Sequence, residues 1–590
     1  MNSEWSIGGC YIQFSLLTTH YSPFTIHHSP FPTFASMDNY AIADQLSLLA
    51  KLMDIHGENA FKSKSYASAA FSLEKLPQQI AQTPREKIAG IRGIGDSVAK
   101  KIIEILETGS LEVLQQLLQK TPEGVLEMMN IKGLGPKKIH LLWKEMDIDN
   151  IEDLRQACIE NRIADKKGFG AKTQENILNA IAFQQENSGK YLYASAEPFA
   201  EALTEKLRSK FESSLFEITG DFRRQLEIIE SLDWVTTASS EELQNFLVNE
   251  QVELVADRDG MLVLNSNNSL LLRFYITHKN NFHATLFKTS CSEEFAAVAG
   301  SMLEGEISNE EEIFAGTGKI FIPPYLREDP QLLSGKKIPE INNIIQPNDI
   351  KGLIHSHSTW SDGGYGIEEM ATELIKLGFE YLVISDHSKA AYYANGLSEQ
   401  KIKEQHKQID ELNKKLAPFK IFKSIECDIL NDGSLDYSNE VLSSFDLVIT
   451  SIHSNLSMNE EKAMTRLLGA IRNPYTTILG HMTGRLLLRR KGYPVDYAAI
   501  IDACAENKVV IEINANPNRL DMDWRWIPYA LEKGVMLSIN PDAHTIDEFH
   551  NIKYGVLSAQ KGGLTRKQNL SSYSLKEFET FLSSNKNKMN

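Results

Sequence analysis

The chain has 590 residues, 42% of them hydrophobic and 24% charged, which is too long for one core and ordinary for a globular protein of several domains. No run approaches the roughly 18 apolar residues of a membrane span, and the five scattered cysteines (Cys10, Cys158, Cys291, Cys427, Cys504) form no C-x-x-C pair, so neither a disulfide framework nor a zinc ribbon is expected and a reducing cytoplasm fits. A net charge of −17 argues against a broad basic face for nucleic acid, but not against binding through backbone N–H groups or bound metals, which net charge does not count.

Residues 1–36 include "YSPFTIHHSPFPTFAS", rich in turn formers and nearly uncharged. A signal peptide needs a basic start and a compact apolar stretch, and neither is present. Two expectations stand: a mis-called start ahead of Met37, or a disordered tail. The intact mass of the native protein separates them.

From 37 to 188 the pattern is helical, with an apolar stripe of Leu46, Leu49, Ala50 and Met53. A motif recurs in it as "IRGIGDSVAKKIIEIL", "IKGLGPKKIHLLW" and "KKGFGAKTQENILNAI", with glycine pairs Gly93/Gly95, Gly133/Gly135 and Gly168/Gly170. Glycine lets the backbone turn tightly and approach a ligand. A helix beginning just after it presents unpaired N–H groups to an anion such as a phosphodiester. Lys100, Lys101, Lys137, Lys138 and Lys172 add positive charge. A single Gly-x-Gly is equally a helix-joining turn, whereas three copies favour DNA. They resemble helix-hairpin-helix motifs, which grip the DNA backbone without reading sequence.

The preceding stretch "NAFKSKSYASAAFSLEKLP" is similar to the amino-terminal domain of family X DNA polymerases. In some relatives a first-hairpin lysine forms a Schiff base with abasic deoxyribose, and Lys101 falls at that position; the alternative is a lysine that contacts phosphate.

The segment 189–335 resembles the palm and thumb of the same family. In "FEITGDFRRQLEIIESLDWV", Gly220, Phe222, Arg223, Arg224 and Glu227 fit the palm motif, with Asp221 where a serine is usual. Ser231 and Asp233 stand where two metal-binding aspartates are expected. The third place is taken by Arg273, and no aspartate lies between Asn265 and Lys288. "IFIPPYLRED" looks like the end of the thumb. Nucleotidyl transfer needs two Mg²⁺ held by carboxylates. An arginine in place of one turns an attraction into a repulsion of roughly 4 kcal/mol at about 4 Å and an effective dielectric of about 20. Since about 1.4 kcal/mol is tenfold in rate, this palm is expected to hold DNA or structure without polymerising. An active polymerase whose carboxylates lie elsewhere is the alternative.

After a linker at 336–348, short apolar strands alternate with helices over 349–578: "YLVIS", "FDLVITSIH", "TTILGH", "VVIEINA", "VMLSINPDAH". Alternation of this kind predicts a parallel α/β sheet or barrel with ligands at the strand ends. His387, Glu426, His453, His481, Asp542 and His544 fall there and join His355, His357 and Asp362 of "HSHSTWSDG", nine ligand-type residues in all. One transition-metal ion takes about four ligands, so two or three ions are expected. The order H-x-H, S-D-G, S-D-H, Glu, His, G-H, D-A-H is similar to the PHP (polymerase and histidinol phosphatase) family. That resemblance implies a distorted (β/α)7 barrel holding Mn²⁺, Zn²⁺ or Fe²⁺ and hydrolysing phosphoesters. It assigns His355, His357, Glu426 and Asp542 to one ion, Glu426, His453 and His481 to a second, and Asp362, His387 and His544 to a third. Glu426 and Asp542 are thereby the central catalytic carboxylates.

The family often places an aspartate two residues ahead of the first histidine, where this chain has Leu353, so altered support around His355 is expected rather than metal loss. Arg485 is the candidate cation for developing phosphoryl charge, with a surface salt bridge as its alternative. Residues 579–590 read as a tail. The whole order resembles the bacterial family X DNA polymerase with a PHP tail, a multidomain α and α/β chain. That resemblance implies a DNA-repair 3′–5′ exonuclease acting on gapped or 3′-ended DNA. A non-catalytic DNA scaffold and a small-metabolite phosphatase are the rivals.

Overall fold

The computed structural model describes residues 38–586, apart from short stretches at 75, 77, 165, 167, 250–251, 267–269, 304–306, 316–318 and 335–339. The expectations for residues 1–36 lie outside the described residues. The chain divides into two compact units that meet in sequence at Ser188 and Gly189.

The first unit is helical. Its opening helix, Asn39–His56, is capped by the Asp38 side chain and closed by Gly57 at φ 72°. Leu46, Leu49, Ala50 and Met53 are buried along it, as the stripe predicts. The three hairpins share the backbone of their first glycine, while at the second Gly170 (φ 141°) departs from Gly95 (φ −88°) and Gly135 (φ −78°). Gly93, Gly133 and Gly168 sit at φ 91°, 94° and 93°, which only glycine adopts without strain. Helices Asp96–Thr108, Pro136–His140 and Ala171–Glu186 start directly after Gly95, Gly135 and Gly170, and none of these starts is capped by a side chain. Their first N–H groups are thus not taken up by a side chain at the cap position.

The second unit begins with a five-stranded sheet: β1 (Phe216–Thr219), β2 (Ser231–Thr236), β3 (Val252–Arg258), β4 (Met261–Ser266) and β5 (Leu271–Ile276). The strand order is β1-β2-β5-β4-β3, with β2 and β5 parallel and the other pairs antiparallel. A separate cluster of Phe287, Phe295, Phe314, Ile322 and Leu326 forms the core of the thumb region.

Seven parallel strands follow: β6 (Gly352–Ser356), β7 (Tyr381–Ile384), β8 (Lys420–Asp428), β9 (Leu447–Ser451), β10 (Ile478–Leu479), β11 (Val510–Asn514) and β12 (Leu537–Asn540). They pair in chain order, and a bridge from Ser356 to Ala543 nearly closes the sheet into a barrel. Ile354, Tyr381, Val383, Phe422, Leu447, Ile449, Ile478 and Val510 meet in one cluster drawn from β6 to β11, the barrel interior.

Two boundaries differ from expectation. Residues 579–586 are not a tail: the helix Leu575–Lys586 runs through Phe578, and Phe578 and Leu582 both join the interior cluster, while 587–590 lie outside the described residues. Its apolar spacing was too short to stand out beside a lysine-rich end. The linker also ends early, since the Ile345 N–H donates to the Leu564 carbonyl at 3.0 Å and Ile344 and Ile345 are buried.

Candidate metal centre

Side chains alternate across a strand, so each barrel strand aims every second residue inward. On β8 the inner series Phe422, Ser424, Glu426 runs from apolar to acidic toward the carboxyl end, and on β11 it is Val510, Glu512, Asn514. The apolar members fill the barrel and the polar members gather at one mouth. His355 stands where β6 shifts register against β7 and adopts φ 66°; Asp542 adopts φ 54° just past β12. Left-handed backbone at two non-glycine residues is local strain of the kind held at functional sites. The shift lets His355 and His357 both reach the mouth.

All nine sequence-predicted residues converge there. Three groups place their ligand atoms within 4.8 Å of one another: His357, Asp362, His387 and His544; His355, His357, Glu426 and Asp542; and His387, Glu426 and His453. The second is the quartet expected for the first ion. In the others His357 and His387 are shared between groups. His481 stands outside the three, with its Nε2 3.0 Å from Glu426 Oε1. Glu426 also lies 3.1 Å from His453 Nε2 and 3.3 Å from His355 Nε2. It is the hub.

The donor set suits a divalent transition metal, and imidazole with carboxylate fits Mn²⁺, Zn²⁺ or Fe²⁺. The fit has an independent sign. His355 Nε2, His387 Nδ1 and Glu426 Oε2 are buried and make no well-formed hydrogen bond, although His355 Nε2 lies 3.3 Å and His387 Nδ1 3.0 Å from the Glu426 carboxylate. Buried polar atoms of native proteins are nearly always satisfied, so an unsatisfied set pointing into one pocket calls for a cation.

The surrounding side chains set the imidazoles. His355 Nδ1 meets Glu512 Oε2 at 2.6 Å, and Glu512 also accepts from the His481 N–H at 3.1 Å, Asn514 at 3.0 Å and Asn540 at 2.8 Å. This is the support expected to be altered around His355: a carboxylate from β11 does the work. Asp428 lies 3.2 Å from His453 Nδ1. Asp386 fixes the H-x-H loop by accepting from the Ser358 N–H at 2.8 Å, the Ser358 hydroxyl at 2.7 Å and Gln405 at 2.6 Å. Burial disfavours the charged imidazolium at His355, but Glu512, Asp542 and Glu426 outweigh it and hold the ring well above the usual range. Burial, with His544 and His387 nearby, holds His357 well below it.

Arg485 is not poised over the centre as expected. Its guanidinium is half-buried and committed to a loop, donating to Asp523 at 2.7 Å, to the Arg519 carbonyl at 2.9 Å and to the Leu520 carbonyl. The loop it braces carries another cation, Arg519, whose Nε lies 3.8 Å from Asp542 Oδ2. Sequence reasoning missed Arg519 because no spacing rule links "NPNRLDMDW" to the strand ends. Glu512 left a signal, a lone acid inside the apolar run "VVIEIN".

The palm differs. Ser231 and Asp233 lie on β2, and Arg273 on β5 pairs in register opposite Asp233. Asp233 Oδ1 is buried without a partner. Burial pushes its carboxyl up to about 6, against the opposing pull of Ser231 and Arg273. Gly220, at φ 65°, leaves the room that the Asp233 carboxylate occupies. Arg223 is paired to Glu310, and Arg224 to Asp221 and, at 2.9 Å, to Glu328.

In the helical unit Lys101 lines a pocket of about 240 Å³ with Lys62, Tyr66, Asn59 and Glu58, and its Nζ is held by Glu104 at 2.6 Å. Lys138 turns back to the Gly133 carbonyl of its own hairpin at 3.0 Å. Lys172 lies 3.8 Å from Glu175. Lys137 follows Pro136 in the first turn of the second hairpin helix.

Comparison with known proteins matches residues 37–111 to a helix-hairpin-helix domain, 125–182 to a SAM-like helix-hairpin-helix tandem and 354–516 to the PHP domain. The chain is 33% identical over 567 residues to the DNA polymerase/3′-5′ exonuclease PolX of Bacillus subtilis (strain 168), covering 92% of this chain and 98% of that one. A probable phosphatase of Thermoanaerobacter sp. (strain X514) is 25% identical over 229 residues, 36% of this chain and 86% of its own. DNA polymerase lambda of Rattus norvegicus is 30% identical over 144 residues, 24% of each chain.

Proposed function

The chain belongs to the bacterial family X DNA polymerases that carry a PHP domain, and on that premise we propose that its working chemistry is phosphoester hydrolysis at DNA 3′ ends in the barrel, while its palm no longer polymerises. One contrast carries the reading. Nine ligand-type side chains meet at the barrel mouth, whereas the palm positions hold Ser231, Asp233 and Arg273. In the palm, Arg223 and Arg224, which could meet a nucleotide's phosphates, face acids instead.

In the barrel His355, His357, Glu426 and Asp542 would hold one ion, His453 and His481 a second through Glu426, and Asp362, His387 and His544 a third. Two or three bound Mn²⁺, Zn²⁺ or Fe²⁺ ions would supply a hydroxide near neutral pH and charge to stabilise the pentavalent phosphorus. The chain's own residues do the rest. Glu512 and Asp428 fix the tautomers of His355 and His453 by accepting from Nδ1. Asp386 holds the H-x-H loop. Arg519, beside Asp542, is placed to neutralise charge building on a nonbridging phosphoryl oxygen, and Arg485 acts through the loop as a positioning residue.

The three hairpins, through Gly93, Gly95, Gly133, Gly135, Gly168 and Gly170 with Lys100 and Lys137, would hold gapped or 3′-ended DNA by its backbone, as suits a cytoplasmic repair protein, while Lys101 is taken up by Glu104. The domain limits that go with this reading are 37–188 for the hairpins, 189–335 for palm and thumb, and the barrel from about 345 to 586.

The test uses 5′-labelled primed and gapped DNA with Mn²⁺, with and without nucleotides. Wild-type protein is expected to shorten the strand, and His355→Ala to do neither, with less bound metal. Lengthening by wild type would restore the palm as a polymerase. Hydrolysis of glycerol phosphate but of neither DNA would favour the activity in the probable phosphatase's name.

A further inference from the structure

The loop between the ligand His387 and the helix Glu399–Lys415 carries two large aromatic side chains into solvent, Tyr392 at 86% exposure and Tyr393 at 64%. Exposed aromatics on a loose loop would carry no argument. This loop is fastened to the ligand set. The Leu397 N–H donates to the His387 carbonyl at 2.9 Å, and the Ser388 N–H to the Glu426 carbonyl at 3.0 Å. Asn395 donates to the Trp360 and Ser361 carbonyls at 3.1 and 3.4 Å, within the H-x-H segment. Lys401 holds Asn395 Oδ1 at 2.8 Å. Gly396 packs so closely on Ser388 that no side chain would fit.

The tip therefore springs from between two anchors that belong to the ligand set, the His387 and Glu426 carbonyls on one side and the H-x-H segment on the other. Partial burial of its hydroxyl end raises the Tyr393 phenol above the usual range, and Asp428, Glu426 and Asp362 raise it further while Arg519 opposes them. The two rings meet edge to face, with centroids 6.1 Å apart and planes at 78°, so the pair covers at most one ring face. A bare phosphate has no use for such a surface. Every nucleobase has a π-face, and a rigid tyrosine gives up little conformational freedom in stacking on one.

We propose that Tyr392 and Tyr393 form a stacking subsite for the base of the 3′-terminal nucleotide, with Arg519 as the partner of its phosphate. The proposal rests on the reading of the barrel as a DNA 3′-end phosphoesterase and names what that site recognises.

The test compares two trinucleotides on the full, Mn²⁺-loaded chain, one ending in a normal nucleotide and one in a tetrahydrofuran abasic residue. They differ only in the terminal base, so contacts made by the hairpins cancel. Wild type is expected to prefer the base-bearing end by about tenfold in kcat/KM. In the double variant Tyr392→Ala/Tyr393→Ala that ratio falls toward one, and in Tyr392→Phe/Tyr393→Phe it is kept. A second readout needs no turnover: in metal-stripped protein, a 3′-terminal 2-aminopurine is quenched by wild type and the phenylalanine variant, and not by the alanine variant. If both trinucleotides are shortened with the same ratio and the same quenching in the alanine variant, the subsite is wrong and the 3′-end reading stands. If neither is shortened while glycerol phosphate is hydrolysed, the 3′-end reading fails. The quenching then decides alone: its loss in the alanine variant supports a nucleoside-phosphate subsite, and its persistence overturns one.

Discussion

Asp233 is the one acid left of three expected in the palm, and its position makes it a burden. A carboxyl raised from 3.8 to about 6 keeps a proton in the folded chain that the unfolded chain releases. The sign follows from linkage: between pH 3.8 and about 6 stability falls as pH rises, and above about 6 the whole cost is present. That cost is on the order of 2–3 kcal/mol. Asp233→Asn keeps the shape and removes the charge, so it is expected to raise the melting temperature by a few degrees at pH 7.5 and by almost nothing at pH 4, measured by calorimetry. An equal gain at both pH values would mean that charge burial is not the cause. Arg519 makes the opposite kind of prediction. If it neutralises charge at the reacting phosphoryl group, Arg519→Ala lowers kcat by about a hundredfold with little change in KM. Arg485→Ala instead breaks a part-buried ion pair and two bonds to loop carbonyls and is expected to lower stability by on the order of 1–3 kcal/mol, visible first as a lower melting temperature.

At the scale of elements, β11 shows what the sequence made legible and what it hid. The run "VVIEINA" reads as a buried parallel strand, and it is one. Glu512 within it is not legible as a site residue, because strand-end position marks the ligands and Glu512 lies mid-strand. Its work is visible only once β6 is brought across the barrel to put His355 Nδ1 2.6 Å away. Arg519 was hidden for the same reason, and Arg485 drew attention because it follows His481 so closely in sequence. The glycine hairpins were legible because their signal is local: three residues in a fixed order set three backbones near φ 90°. The C-terminal helix was not, because Phe578 and Leu582 gain meaning only against Tyr381 and Phe422 inside the barrel. The reading of Glu512 as the carboxylate that orients His355 is testable. Glu512→Gln keeps the volume and loses the charge-assisted bond, and metal affinity measured by titration is expected to fall by roughly 10- to 100-fold. Unchanged affinity would make Glu512 only a buried partner of Asn514 and Asn540.

For the whole molecule, the two units keep separate cores. Among the described residues the cluster of the helical unit runs from Ile42 to Ile181, and no cluster of the second unit includes any of its members. Removing residues 1–188 tests how the work is divided. The truncated chain is expected to lose efficiency on DNA relative to glycerol phosphate, because the ends are no longer held. Salt dependence tells how the hairpins hold them. Each lysine that neutralises a phosphate adds about 0.9 to the slope of log K against log salt, whereas a backbone N–H adds no charge. Of the five flanking lysines, Lys101 faces Glu104, Lys138 its own hairpin and Lys172 Glu175. Lys100 and Lys137 remain, so the full chain should be steeper than the truncated one by about 2 units of slope and not by the 4 to 5 that all five lysines would give. A difference near 5 would mean that the lysines carry the binding. A difference near 2, with a large loss of affinity, would leave the glycine-framed helix starts as the DNA grip of a chain whose net charge is −17.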